Sequence, residues 1–96
     1  MGQVTTLVEI VNSCDGLSEV DTIYAREPWT EQSVAIVATE PSSGGLPEDA
    51  KNLGLRYFLE VSVANEFLVD WSRSLKREPT LKEKCQRLIQ YAINDA

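Results

Sequence analysis

Glu66 and Asp70 stand four residues apart on a stretch of helical period, with Glu60 just before them. Two close carboxylates can split their pKa values and work as acid and base, or hold Mg²⁺. Here Arg73, Ser74 and Arg77 continue the same stripe. That turns the pair into a solvated, salt-bridged helix face. Cys14 and Cys85 are the two thiols, and the chain has no histidine. This removes the commonest general base, the usual partner of a nucleophilic serine or cysteine, and a frequent zinc ligand. No GxGxxG, Walker A or EF-hand loop occurs. Gly44-Gly45 offers amides to an anion, but Glu48 and Asp49 open the next helical pattern and would repel phosphate. The two glycines read as turn residues. The expectation is a protein with no catalytic group, no cofactor and no metal.

What remains is recognition. Arg73, Lys76, Arg77, Lys82, Lys84 and Arg87 make a basic run around Pro79, interrupted by Glu78 and Glu83. With a net charge of −6, such a run does not predict nucleic-acid binding. Residues 1–50 carry nine acids against Arg26 alone, whereas residues 51–96 carry eight bases against six acids. The acidic half suits a basic protein partner. Trp29 follows Pro28 in a segment between two strand patterns. It either plugs the end of the core or anchors a partner, since Trp and Tyr concentrate binding energy at interfaces. The expected protein-binding residues are Trp29, Glu27, Glu31 and Tyr24. The alternative is a homodimeric structural domain in which Tyr91, Ile93 and a sheet edge pair two copies.

Ninety-six residues predict one domain spanning 1–96. No apolar run approaches the ~18 residues that span a bilayer, and no secretory leader pattern opens the chain. Both favour the cytoplasm and no membrane partner. There, Cys14 and Cys85 are expected to be reduced, buried thiols rather than a disulfide. The opening Met1-Gly2-Gln3-Val4-Thr5-Thr6 fits a loose N-myristoylation pattern. No basic cluster follows to give the second membrane signal, so acylation is not expected.

The elements follow from period and punctuation. Thr6 and Glu9 form a capping box for a short helix to Ser13, stopped by Asp15-Gly16. Leu17 to Asp21 is a connector. Strands are expected over Thr22–Arg26 and Val34–Thr39, with Tyr24 on the opposite side from Ile23 and Ala25. The unbroken VAIVA of the second implies a strand covered on both faces or central in the sheet. After a turn at 41–45, a two-turn helix runs from Pro47 to a left-handed stop at Gly54. Leu55, Tyr57, Leu59, Val61 and Val63 alternate as a strand. Ala64, Phe67, Leu68, Trp71 and Leu75 then give a helix face. Pro79 ends that helix. Thr80 and Glu83 make a second capping box, and Leu81, Cys85, Leu88, Ile89 and Ala92 carry a last helix to Asn94. The order α-β-β-(short α)-β-α-α predicts an α+β fold: a three-stranded, mainly antiparallel sheet with the helices on one face. A meander is favoured, although the 41–54 connection is long enough for a crossover.

The segments IYAREPWT (Ile23 to Thr30), YFLEVSVANEFLVDW (Tyr57 to Trp71) and EKCQRLIQYAINDA (Glu83 to Ala96) resemble a family of small bacterial domains of unknown function. The resemblance covers most of the chain and transfers no site residues. It implies a bacterial, cytoplasmic, single-domain protein. Compact acidic bacterial proteins of this kind include toxin-neutralising immunity proteins. The reading is a small acidic module, an immunity or regulatory protein that binds a basic partner without catalysis.

Overall fold

Apolar periodicity and helix N-caps at Thr6 and Thr80 shape much of the architecture. The computed structural model describes residues 4–95 and begins with a two-residue strand, β1 (Thr5–Thr6), that runs straight into α1 (Leu7–Asn12). A 3-10 turn (Cys14–Gly16) follows, then β2 (Thr22–Ala25) and β3 (Val34–Ala38). Next come α2 (Glu48–Leu53), β4 (Arg56–Glu60), α3 (Val61–Ser74) and α4 (Leu81–Asp95). Gly2, on which the acylation pattern turns, lies outside the described residues. Among the described residues, no helix is long and apolar enough to cross a membrane.

The sheet order is β1-β3-β2-β4 and every pairing is antiparallel. The fold is α+β as expected, but the sheet has four strands rather than three. β1 pairs Thr5 with Ala35 and Thr6 with Val34, too short a run to carry an alternation pattern. Both β3 and β4 run antiparallel to β2, so they are parallel to each other with β2 between them. The 39–55 connection is therefore a crossover, not a meander turn.

The expectation of helices on one face is also corrected. One core gathers α1, α3 and α4 against Ile23, Ala25, Ala35, Phe58 and Leu59. A second, smaller core holds Tyr24, Ile36, Ala50 and Leu55 on the other face, under α2. The crossover places α2 there, because a chain leaving β3 must pass over one face of the sheet to reach β4. As VAIVA predicted, β3 is covered on both sides, with Ile36 and Ala35 in different cores.

The alternation over Leu55–Val63 does not survive. Ile23 pairs with Leu59 but Tyr24 pairs with Tyr57, so Phe58 is the extra residue of a β-bulge. The bulge lets Phe58 and Leu59, adjacent in sequence, enter the same core, while Leu55 belongs to the other. Helix α3 begins at once, at Val61, whose amide donates to the Asp21 carbonyl at 3.0 Å.

The second expected capping box is complete, whereas of the first only the Thr6 side-chain cap forms among the described residues. Thr6 Oγ1 accepts from the Glu9 amide at 3.4 Å. Thr80 and Glu83 bond reciprocally, at 2.9 Å from the Thr80 amide to Glu83 Oε1 and 3.2 Å from the Glu83 amide to Thr80 Oγ1. Gly54 closes α2 at φ 71°, and its amide reaches the Lys51 carbonyl at 3.2 Å. A Cβ there would meet nothing within 4 Å, so only the left-handed backbone penalises a side chain. Gly54→Ala should therefore lower stability by about 1 kcal/mol in a urea titration. An unchanged midpoint would show that α2 ends without needing this conformation.

Candidate functional site

Helix α1 leaves its first amides without partners inside the helix. The 26–33 segment supplies them. The Leu7 amide donates to the Ser33 carbonyl at 2.9 Å, and the Val8 amide to the Glu31 carbonyl at 3.0 Å. Ser33 Oγ holds the segment's shape by accepting from the Thr30 amide at 2.8 Å and donating to the Pro28 carbonyl at 3.2 Å. The Glu27–Pro28 peptide is cis. Arg26 reaches the other way, donating from Nη2 to the Leu53 carbonyl at 2.7 Å. It thereby satisfies one of the open carbonyls at the C-terminus of α2.

The expected binding residues fall on this clasp and are mostly consumed by it. Trp29 is half-buried. Its ring meets Phe58 edge-on at 4.9 Å and 85°, and Nε1 donates to the Ala25 carbonyl at 3.2 Å. It closes the end of the larger core. Glu31 Oε2 accepts from Gln86 Nε2 at 2.7 Å, tying the segment to α4. Glu27 is exposed. Tyr24 is only 1% exposed and lies in the smaller core, across the sheet from Trp29's. Burial raises its hydroxyl pKa. Tyr24 is not a surface residue of this fold, and the four residues do not form one face.

The carboxylate stripe on α3 is also rearranged. Among the described residues, neither Glu66 nor Asp70 has an ion-pair partner, so the expected salt-bridged ladder is missing. Ser74 Oγ donates instead to the Trp71 carbonyl at 2.6 Å. Arg77 forks onto Glu83, at 2.8 Å and 2.5 Å. That guanidinium holds the Glu83 carboxyl down at about 2. Lys84 Nζ lies 3.8 Å from Glu78. The acids interrupting the basic run thus pair with it. No group of three or more Cys, Asp or Glu side chains among the described residues is placed to hold a metal ion.

Cys14 and Cys85 are free and buried. Burial, helped by the Asp15 carboxylate for Cys14 and by Glu31 for Cys85, pushes each thiol up to about 11. A thiol so raised is a poor nucleophile. Neither should react with a disulfide reagent in the native protein at about pH 8. The unfolded thiols ionise from pH 9.0 upward while the folded ones stay neutral to about 11. Their stabilising contribution is therefore complete below pH 9.0 and fades as pH rises towards about 11. A denaturation midpoint flat across that window in the wild type would contradict this.

The acids of the first half do meet an open surface elsewhere. A hollow of about 450 Å³ lies between α1 and the sheet at β3. Ile10, Leu17 and Val37 give it an apolar lining, and Glu9 from α1 and Asp21 from the lead into β2 give it charge. Asp21 Oδ1 accepts from Thr39 Oγ1 at 2.8 Å. Neither acid pairs with a base among the described residues. β1 pairs with β3 at Val34 and Ala35, and Thr5 at its start also lines the hollow. Sequence reading missed this site because its residues lie on three elements. The only signal was the excess of acid before residue 50.

The fold and site define a small α+β domain with two buried thiols and an acid-lined, apolar-walled hollow at a sheet edge. Comparison of the chain with family models, with curated proteins and with solved structures gave no match.

Proposed function

We propose that this chain is a non-catalytic protein-binding module that takes a basic partner in the hollow between α1 and β3. The observation that carries this reading is the pair Glu9 and Asp21, both without a base, set around Ile10, Leu17 and Val37. Lys and Arg bury an apolar stem while keeping the charged head beside polar groups. An acid-edged apolar hollow of this size suits such a side chain. The charge of −6 would steer a basic partner towards it. Neutralising a basic partner is the work of an immunity or regulatory protein, and the net charge of −6 fits that role. Two buried free thiols fit a reducing cytoplasm.

The test is an amide-resolved NMR titration with an Arg-Leu-Arg peptide, and with Glu-Leu-Glu as the control. Shifts confined to the neighbourhood of Glu9, Leu17, Asp21 and Val37 are expected with the basic peptide alone. Glu9→Gln/Asp21→Asn should weaken them about tenfold or more, since each removes an uncompensated charge. Shifts scattered over the surface, or none, would sink the reading.

A further inference from the structure

Helices α3 and α4 leave apolar side chains open to the surface. In α3, Val61 and Ala64 are buried, while Phe67, Leu68 and Trp71 are only half-buried. On α4, Ile93 is 58% exposed. Two hollows flank Trp71. One, of about 360 Å³, is lined by Val63, Glu66, Phe67, Asp70, Trp71 and Tyr91. Phe67 and Tyr91 stack there with ring centres 4.4 Å apart. The other, of about 490 Å³, has Trp71, Arg87, Gln90 and Ile93 among its walls. Large apolar side chains gathered on one face of a small protein mark an interaction surface.

The charges say what covers it. Glu66 and Asp70 edge the first hollow; Arg87 and Glu83 edge the second, where Arg77 takes up Glu83 and leaves Arg87 as the unpaired charge. Among the described residues Glu66, Asp70 and Arg87 have no ion-pair partner, and Arg87 makes only a 2.6 Å bond to Gln90. Acid on one side of Trp71 and base on the other is a pattern complementary to itself. A two-fold rotation would set the Glu66–Asp70 side of one copy against the Arg87 side of the next, twice. The face also belongs to residues 51–96, where bases outnumber acids, so the acidic halves are not brought together by their own charge. A basic partner would be drawn to the other half of the molecule.

We propose that the α3–α4 face joins two copies of this chain in a symmetric dimer. Asp70 of each copy faces Arg87 of the other, and Ile93 enters the aromatic hollow beside Phe67 and Tyr91. This surface is separate from the α1–β3 hollow, so either can fail while the other stands. Sedimentation velocity across micromolar to millimolar protein tests it, with circular dichroism confirming that each variant folds. The wild type should reach the dimer mass. Asp70→Arg alone and Arg87→Asp alone should each weaken dimerisation about tenfold or more, by setting like charges together. The double variant should recover most of the wild-type affinity. A monomer at every concentration would overturn the proposal. So would single variants that match the wild type, or a double variant no tighter than the singles.

Discussion

Phe58→Ala should lower the unfolding free energy by about 4 kcal/mol, because it empties a fully buried aromatic site. Phe58 is 2% exposed and sits where the bulge turns two successive side chains into one core. A chain of this length has a total stability on the order of 5–14 kcal/mol, so the variant should be close to unfolding. Trp29→Ala should cost less, about 2 kcal/mol, because that ring is only half-buried. The two losses should not add. The edge-on contact between the rings is present once, and a double-mutant cycle should return about 1 kcal/mol of coupling. Urea titrations of the four proteins give the cycle. If Trp29→Ala leaves stability unchanged, the indole is not closing the core, and its role as an exposed anchor would return.

That outcome matters because Trp29 was the residue on which the sequence was most ambiguous. A tryptophan after a proline in a connecting segment fits a plug over the core, with an exposed anchor as the alternative. What decides is the path of the segment around it. Leu7 and Val8 of α1 donate to Ser33 and Glu31, and Gln86 of α4 reaches Glu31. These bonds join residues far apart in the chain, and no local pattern announces them. Local chemistry was legible for the opposite reason. Thr6 and Glu9, Thr80 and Glu83, and the stop at Gly54 act within a few residues of themselves. Each was visible from composition and spacing and sits within a residue of the expected boundary.

Layering and register were only half legible. VAIVA announced a strand covered twice, and β3 is one. It did not say which helix covers the second face, because periodicity marks an apolar side without naming what lies against it. At residues 55–63 an alternating pattern was present, yet the bulge at Phe58 reversed its phase from Leu59 onward. A slip of one residue exchanges the faces of a strand. The candidate hollow followed the same rule. Its acids, Glu9 and Asp21, were counted in the acidic half, but their meeting around Leu17 and Val37 depends on how α1 lies against the sheet.

Tyr24→Ala tests whether the second face is a distinct cooperative unit. The smaller core has four buried residues, Tyr24, Ile36, Ala50 and Leu55, and Tyr24 is the largest of them. Helix α2 is six residues long. A helix that short is not stable by itself, so its order comes from what it packs on. It contributes Ala50 to this core and is held at its end by Arg26 on the Leu53 carbonyl. Removing the tyrosine ring should cost about 3 kcal/mol overall. The more telling effect is local. Amides of 48–55 should exchange far faster than those of α1 and α4, whose core on the other face is untouched. Equal acceleration everywhere would mean that the two layers open together through the sheet. Fast exchange confined to α2 would mean that the crossover is the weak layer of the fold. The larger core, with Trp29 closing its end, would then hold the surfaces proposed for the partner and for the second copy.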